Sequence, residues 1–378
     1  MQLIHLPLKI LINITEYLPT KDILNLSVCS RHFHDLLSFV KFSENVKFKN
    51  INKLPYFDSF TNVEYDMSGK SFPKSLRTLF WYCTDQLPSQ LPDSLESLYL
   101  DDHYNQPLTQ LPNSLKSLDV GCFYNHHLPQ LPDSLKSLYL SSCYNQPSLR
   151  LPNSLKSLSL SGYYNHPLPQ LPNSLKSLHI HCYYNHPLQL PNSLKSLDLR
   201  RYYNQPLPQL PDSLKSLILG SDYNQPLPQL PNSLESLYLG RHYNQPLPQL
   251  PHSLKSLHLS IHYYQLLPQL PDSLKSLHLG YDYNLLLPQL PDSLKILHLG
   301  YYYNLLLPQL PNLLESLDLG HNYNHPLPQL PDSIKSLHLS SRYDQPLPQL
   351  PDSLKVLKIR RGFPLPTLSS KINIEFFD

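Results

Sequence analysis

Histidine recurs in steps of 20 residues at His258, His278 and His298. Imidazole nitrogens are common zinc ligands, so such a row could bind a metal ion. A straight row is nevertheless poor tetrahedral geometry, and neither sulfur ligands nor a row of carboxylates accompanies it in the pattern. We therefore predict no metal site and no cofactor, and we expect exposed imidazoles that titrate near about pH 6.

Motifs for catalysis are missing from the sequence. It contains no Gly-rich phosphate loop, no activated nucleophile motif and no pair of catalytic carboxylates, and serine recurs so regularly that no single serine stands out. We predict no catalytic residues and no enzyme activity. The cysteines are Cys29, Cys83, Cys122, Cys143 and Cys182, an odd set without a C-x-x-C pair. They indicate reduced thiols in an intracellular protein, cytoplasmic or nuclear.

Charge and hydropathy exclude two further partner classes. The formal net charge is +2 and 15% of residues are charged, which is no basic field for a nucleic acid backbone. No apolar run approaches the about 20 residues that span a bilayer, and Lys9 and Glu16 interrupt the apolar N-terminus. We expect neither nucleic acid nor membrane as a partner.

An internal repeat dominates the chain. Copies of the pattern LPxSLKSL recur every 20 residues, with a single 19-residue step between Leu171 and Leu190. The copies begin at Leu91, Leu111, Leu131, Leu151, Leu171, Leu190, Leu210, Leu230, Leu250, Leu270, Leu290, Leu310, Leu330 and Leu350. A degenerate copy begins at Phe72.

Each unit contains one short strand. Leu234, Leu237 and Leu239 are spaced so that all three can point inward, which is the leucine-rich-repeat pattern. The segment 246–251 has three prolines, which favour extended backbone and exclude a helix. Stacked coils bury the leucines that one coil cannot. We predict a mostly β, leucine-rich-repeat-like solenoid, with a parallel sheet on the concave face and an extended, proline-rich convex side.

Three further residue types recur with the same period. Tyrosine follows each strand, as at Tyr243, and asparagine usually comes next, as at Asn244. Both rows predict structural ladders, buried rings and hydrogen-bonded amides, which should be weakest where Tyr264 and Asp344 replace asparagine. A row of lysines precedes the strands, and Glu96, Glu235 and Glu315 relieve its repulsion. That lysine row suits a solvated face, with an acidic partner as the alternative.

The segments Tyr243–Leu247 and Leu250–Leu257 resemble the FNIP repeat, a relative of the leucine-rich repeat, and the likeness extends over about residues 72–362. FNIP proteins are abundant in amoebae and in the large DNA viruses that infect them. Many begin with an F-box. The resemblance therefore implies a solenoid, and it places a viral chain of this kind in its host cell.

The N-terminal residues have helical spacing. Pro7 suits the first turn of a helix, Pro19 ends it, and Thr20 and Ser30 can cap two more short helices. The segments 6–11, 17–19, 22–24 and 26–33 resemble the F-box, which implies a Skp-type adaptor and a cullin ubiquitin ligase as partners. The positions implied to face that adaptor or a small internal core are Leu6, Pro7, Ile10, Leu11, Ile14, Leu18, Ile23, Leu24 and Phe33. The alternative is a helical cap that only shields the first coil.

These patterns divide the chain into four parts. We predict a small α-helical F-box at 1–40, a linker with irregular first coils at 41–71, the solenoid at 72–362 and a C-terminal cap at 363–378. In the second part, the alternation of Val46, Phe48 and Ile51 predicts a strand, as does that of Val63 and Tyr65.

Outward strand positions vary between copies, so they can carry binding specificity. That row reads Tyr99, Asp119, Tyr139, Ser159, His179, Asp198, Ile218, Tyr238, His258, His278, His298, Asp318, His338 and Lys358, and Arg241, Tyr281 and Tyr301 flank it. We expect an unknown target protein to bind here, chiefly through the tyrosines, the histidines, Asp198 and Arg241. The predicted function is substrate recognition for a Skp-cullin-F-box ubiquitin ligase. A scaffold or decoy without ubiquitination is the alternative; carbohydrate binding is disfavoured by composition.

Overall fold

The computed structural model describes residues 18, 22–23, 37, 40–54, 56–66, 72–364 and 372–377. The chain forms two compact units, residues 1–172 and 173–378. Among the described residues, no helix combines the length and the apolarity needed to cross a lipid bilayer.

The first unit is a stack of parallel strands. Its elements are β1 (Val46–Lys47), the short helix α1 (Phe48–Ile51), a 3₁₀ turn (Phe57–Ser59), β2 (Asn62–Tyr65), β3 (Thr78–Trp81), β4 (Ser97–Leu100), β5 (Ser117–Asp119), β6 (Ser137–Leu140) and β7 (Ser157–Gly162). Each strand pairs in parallel with the next, from β1 through β7. The described part of this unit is therefore a parallel β-solenoid.

The second unit repeats this architecture with stricter regularity. Its strands are β8 (Ser177–Cys182), β9 (Ser196–Asp198), β10 (Ser216–Ile218), β11 (Ser236–Tyr238), β12 (Ser256–His258), β13 (Ser276–His278), β14 (Ile296–His298), β15 (Ser316–Asp318), β16 (Ser336–His338), β17 (Val356–Arg360) and β18 (Asn373–Phe377). All neighbours pair in parallel, and equivalent residues face each other, as Leu217 faces Leu237. The predicted leucine-rich-repeat-like solenoid is confirmed.

The core is built from the same positions of every coil. Leu234 and Leu237 are fully buried and Leu239 nearly so, as their spacing predicts. Between strands the backbone is extended, and each coil turns at its Pro-x-Ser-Leu segment, where the Leu234 N–H donates to the carbonyl of Pro231 at 3.0 Å. Because each coil has only one short strand, its leucines are covered by the coils on either side.

A column of tyrosines lies inside each unit. Tyr243 is fully buried, and its ring lies 6.1 Å from that of Tyr223 and 6.3 Å from that of Tyr263, with interplanar angles of 6° and 8°. This confirms the prediction of a structural row. The hydroxyls of Tyr203, Tyr223, Tyr243, Tyr263 and Tyr303 are buried without a hydrogen bond of good geometry among the described residues. These side chains therefore act mainly as apolar filling.

The asparagine row forms the predicted ladder. In each link a side-chain Oδ1 accepts the backbone N–H of the equivalent residue one coil further on, as when Asn244 N–H donates to Asn224 Oδ1 at 2.8 Å. Tyr264 N–H still donates to Asn244 Oδ1, but the side chain of Tyr264 has no amide oxygen to accept the Asn284 N–H. The ladder is therefore interrupted after Tyr264, as expected from the sequence.

Serine forms a second ladder that the sequence analysis did not recognise. In each link the hydroxyl donates to the leucine carbonyl of the preceding coil, as from Ser293 to Leu274 at 2.7 Å. Leu313 takes the place of this serine in one coil and is 53% exposed. One link is therefore missing there, and an apolar side chain faces solvent.

We expect Leu313→Ser to raise the free energy of unfolding by about 0.5–1.5 kcal/mol, the usual net contribution of a hydrogen bond. The new hydroxyl would reach the Leu294 carbonyl in the way that Ser333 reaches that of Leu314, at 2.6 Å. Chemical denaturation measures the change. Ser293→Ala is the matched opposite and should lower the stability by a similar amount; a destabilised Leu313→Ser variant would mean that the leucine packs usefully where it is.

The first coils differ in part from expectation. The strand at Val63 and Tyr65 is present as β2, but the predicted strand through Val46, Phe48 and Ile51 ends at Lys47 and continues as α1. That part of the prediction is wrong because a three-residue spacing also places two side chains on one side of a helical turn. Phe48 uses this placement to stack on Tyr65, with ring centroids 4.3 Å apart.

The single 19-residue step leaves the strands unaffected. The coil after β8 lacks one proline of the usual segment, since Leu188 is followed directly by Gln189. Ser177 nevertheless pairs with Ser196, and Asn204 N–H donates to Asn185 Oδ1 at 2.9 Å. The missing residue is thus absorbed in the segment between the strands.

Candidate protein-binding face

Outward strand residues line one side of the sheet in each unit. At each strand the two neighbouring leucines point inward, so the residue between them points outward. In the first unit, Tyr99 is half-buried and stacks on Phe80 with centroids 4.8 Å apart, while Tyr139 is 39% exposed. In the second unit, His179 is half-buried and Tyr238 is 36% exposed. These predicted residues are open to solvent.

Four rings stack in register on β11 to β14. The ring centroids of Tyr238 and His258 are 4.0 Å apart, as are those of His258 and His278, and His298 follows at 4.3 Å with a tilt of 49°. We call these four residues, together with Tyr281 and Tyr301, the aromatic face. It is a continuous surface of planar side chains.

Tyr281 and Tyr301 extend the aromatic face beyond the strand ends. Their rings stack at 4.4 Å, and Tyr301 stacks on His321 at 4.1 Å. Tyr302 stands edge-on to both tyrosines. Arg241 is exposed and follows β11 at the equivalent position, so the flanking residues lie where the spacing predicts.

Burial changes the acid–base behaviour of the histidines in this stack. Burial and, after it, the nearby imidazoles of His258 and His298 together lower the pKa of His278 to about 4. Burial and His298 also lower the pKa of His258. The expected titration near about pH 6 is therefore wrong for His278, which is neutral there because a charged imidazole would lose hydration inside the stack.

Acid should destabilise the folded chain through His278. In the unfolded chain this imidazole has a pKa of about 6.5, so between about pH 6.5 and 4 the unfolded state binds more protons and stability falls as the pH falls. Thermal unfolding across this range measures the effect. His278→Phe keeps a stacked ring that cannot be protonated. We expect the stability of this variant to fall less as the pH is lowered. If the variant lost stability in acid as much as the parent chain does, groups other than His278 would be responsible.

Charged pairs border the aromatic face on the following coils. His338 Nδ1 lies 3.0 Å from Asp318 Oδ2, and Lys358 Nζ lies 2.9 Å from Glu375 Oε2. Burial alone would raise the pKa of Asp318, but the His338 contact and the Gly320 N–H outweigh it and lower the pKa. An uncharged centre with a polar border is the usual anatomy of a protein interface.

The lysine row is neutralised as the sequence suggests. Glu235 accepts from Lys215 at 2.8 Å and from Lys255 at 2.6 Å, and these contacts lower the pKa of the carboxyl to about 2. Glu96 and Glu315 bridge neighbouring cations in the same way. Because the pairs are exposed, they relieve repulsion and add little stability.

Asp198 is the exception among the predicted binding residues. Its side chain is only 5% exposed, and the side chains of His179, His181 and Arg200 surround it. Contact of Asp198 with a target protein stays a prediction, and the structure leaves little of this carboxylate exposed for it. His179 and His181 cover it from β8 and Arg200 from just after β9, and the repeat pattern does not indicate such side-chain coverage.

An apolar stripe was also missed. Leu266, Leu286 and Leu306 are 63–69% exposed and occupy a position that is proline in coils such as that of Pro246. Three consecutive departures from the consensus could have identified them. The stripe lies in the same coils as the aromatic face.

Few of the predicted adaptor-binding residues can be placed. Leu18 is half-buried and Ile23 is buried. The others, Leu6, Pro7, Ile10, Leu11, Ile14, Leu24 and Phe33, lie outside the described residues. Leu37 and Val40, at the end of this segment, are buried, and the Ser59 hydroxyl donates to the Leu37 carbonyl at 2.8 Å. Leu37 is thus joined to the first coils of its unit.

Comparison with protein families agrees with this architecture. The FNIP repeat profile matches residues 86–123, 124–163, 144–183, 184–222, 223–261, 286–322 and 323–361. The chain belongs to the FNIP-repeat family. Before these FNIP repeats, the F-box domain profile matches residues 3–45. Both resemblances stated from the sequence are therefore confirmed.

Solved structures resemble the FNIP array in fold. CroV588, described as a novel circular leucine-rich-repeat protein, is 28% identical with a TM-score of 0.67 over 89% of this chain. YopM from Yersinia enterocolitica WA-314 is 28% identical with a TM-score of 0.58, and the match covers 84% of this chain and 68% of that one. The leucine-rich effector YopM from Yersinia pestis is 25% identical with a TM-score of 0.53, and the match covers 81% of this chain and 84% of that one.

This chain spans only 62% of the CroV588 structure. A search of curated proteins found no match. F-box domains and leucine-rich-repeat solenoids are typically non-catalytic protein-interaction modules, and an F-box generally binds a Skp-type adaptor. The chain accordingly has the make-up of an F-box substrate adaptor or another protein-binding protein.

Proposed function

We propose that this FNIP-repeat protein is the substrate-recognition subunit of a Skp-cullin-F-box ubiquitin ligase. The F-box, assigned to residues 1–40, docks the adaptor through the nine apolar positions from Leu6 to Phe33, and the solenoid at 72–362 holds the target. The observation that carries the proposal is an F-box match directly before an array whose outward face is unusually aromatic. Other subunits transfer the ubiquitin.

The aromatic face is the part of the array best suited to a target. Tyrosine is prominent among interface hot spots, and rings held by stacking lose little conformational entropy when a partner binds. His258 and His278 stay neutral near pH 7 because their pKa values are lowered, so the centre of this surface repels neither acidic nor basic proteins. The target is therefore a folded protein or a segment that contributes apolar or aromatic side chains.

Reconstitution tests the proposal. The full chain is combined with a purified Skp-type adaptor, a cullin with its catalytic subunits, and the enzymes that activate and conjugate ubiquitin. Proteins retained on the immobilised chain serve as substrates. We expect a stable complex and ubiquitin chains on the retained proteins.

Matched variants on two sides of the same coils make the test specific. Tyr238, His258 and His278 changed together to Ala should abolish retention and modification of the target. Gln249, Gln269 and Gln289 are exposed in the proline-rich segments, and changing them to Ala should leave both intact. Retention without ubiquitin chains would favour the scaffold or decoy, and failure to bind the adaptor would overturn the ligase proposal.

A further inference from the structure

A compact cluster of potential metal ligands lies on β8 and β9, away from the aromatic face. His179 and His181 alternate with Ile180 on β8, so both imidazoles point to the outer side of the sheet. Asp198 on β9 pairs directly with His179. Two adjacent strands thus bring two imidazoles and one carboxylate together.

The distances suit a single ion. One ligand atom from each residue lies within 4.8 Å of the other two. Asp198 Oδ2 is 3.1 Å from His181 Nε2 and 3.9 Å from His179 Nδ1. Ligand atoms at about 2.1 Å from a tetrahedral zinc ion are about 3.4 Å apart, so small side-chain rotations would close the site.

The electrostatic setting also suits a cation. Burial alone would raise the pKa of Asp198, but contacts with His179 and His181 and the charge of Arg200 outweigh it, so the pKa is lowered and the carboxylate stays ionised. The Nε2 atom of His181 is buried, and its 3.1 Å contact with Asp198 Oδ2 does not have good hydrogen-bond geometry. A buried polar atom is costly unless it is well paired, and coordination of a metal ion would satisfy it better than this contact does.

Arg200 is the group that a metal ion must displace. Its Nε lies 3.2 Å from Asp198 Oδ2, while its backbone N–H donates to Oδ1, also at 3.2 Å. The Arg200 side chain is 60% exposed, so it can swing into solvent and leave Oδ2 to the metal. The backbone contact would still orient the carboxylate, as outer groups orient ligands in known metal sites.

We propose that His179, His181 and Asp198 bind one divalent transition-metal ion of the zinc type. Two nitrogens and one oxygen are borderline donors that suit this class better than calcium or magnesium. His179 and His181 are about a third exposed, so a coordination position remains open toward solvent. A side chain of a bound protein can fill that position, which would make the ion part of a binding surface.

The sequence analysis considered only the straight histidine row. His181 lies two positions beyond that row, where other coils have Gly220, Gly240 or Ser260. Among the repeats, an H-x-H segment followed by an aspartate in the next coil is found only here. This pattern is the signal that could have identified the cluster.

Metal titration of the full chain tests the proposal. The protein is prepared without a polyhistidine tag and treated with a chelator, and Zn²⁺ binding is measured by calorimetry, with Co²⁺ absorption as a probe of the donor atoms. We expect one Zn²⁺ per chain that raises Tm. His181→Ala and Asp198→Asn should each weaken binding by more than about 10-fold, and Arg200→Gln should strengthen it.

His338→Ala is the matched control. His338 and Asp318 also form a histidine–aspartate pair on adjacent strands, and His298 pairs with Asp318 from the other side. Among the described residues, however, these three side chains do not bring their ligand atoms close enough together for one ion. Binding unchanged in His338→Ala and lost in His181→Ala supports the site, provided that circular dichroism shows both variants folded. Zn²⁺ binding that persists in a folded His181→Ala variant, or no stoichiometric binding by the parent chain, would overturn the proposal.

Discussion

Changing Leu6, Pro7 and Ile10 together to Ala should abolish capture of a Skp-type adaptor by this chain. The F-box match covers these positions, and the resemblance places them at the adaptor contact. Apolar anchors at the centre of an interface each contribute about 2 kcal/mol or more, so losing three should weaken binding more than about 100-fold. Co-precipitation of purified adaptor with the immobilised chain measures the loss.

A second triple variant controls for the loss of apolar surface. Leu266, Leu286 and Leu306 are exposed on the solenoid, and their change to Ala removes a similar number of apolar atoms without touching the F-box. Adaptor capture should be unaffected. If the N-terminal variant still captured the adaptor, these residues would not form the adaptor contact. That result would favour the helical cap and count against the ligase proposal.

Tyr243→Ala should lower the free energy of unfolding by about 3–5 kcal/mol, as truncation of a buried aromatic ring commonly does. The ring is fully buried between Tyr223 and Tyr263, and its removal opens a cavity that the stacked coils on either side cannot close. Because coils of a solenoid depend on their nearest neighbours, the damage should be greatest in adjacent coils. Denaturant unfolding together with hydrogen exchange measures both effects.

Tyr243→Phe is the informative partner of this variant. The hydroxyl of Tyr243 is buried without a hydrogen bond of good geometry among the described residues, so its removal should leave stability nearly unchanged or raise it. Tyr104 differs, since its hydroxyl accepts the Leu87 N–H at 3.3 Å, and Tyr104→Phe should cost about 1 kcal/mol. Equal losses in both phenylalanine variants would contradict this distinction.

Most of the fold could be predicted because every repeat has the same spacing of leucines and prolines. The spacing of Leu234, Leu237 and Leu239 determines which side chains point inward, and the prolines exclude a helix between strands. Where the repeat is absent, the pattern was ambiguous. Phe48 and Ile51 fit a strand or a helical turn equally well, and packing on Tyr65 decided for the turn.

The candidate site was predictable in position but not in chemistry. Alternation along the strand identified the outward row, including Tyr238 and His278. The lowered pKa of His278 depends on burial and on ring contacts across coils, which a sequence does not specify. The burial of Asp198 likewise depends on the side chains of His181 and Arg200, which fold back over it.

The matching of donors and acceptors from coil to coil has an evolutionary consequence. Deleting residues 224–243 would join Tyr223 to Asn244 and place Leu257 beside Leu217, with every ladder able to form again. Unequal recombination between copies can therefore lengthen or shorten the array without a misfolded intermediate. The 19-residue coil after β8 indicates that small deletions survive where they fall in the proline-rich segment. A change in copy number would therefore alter the length of the outward row of strand residues in a single step.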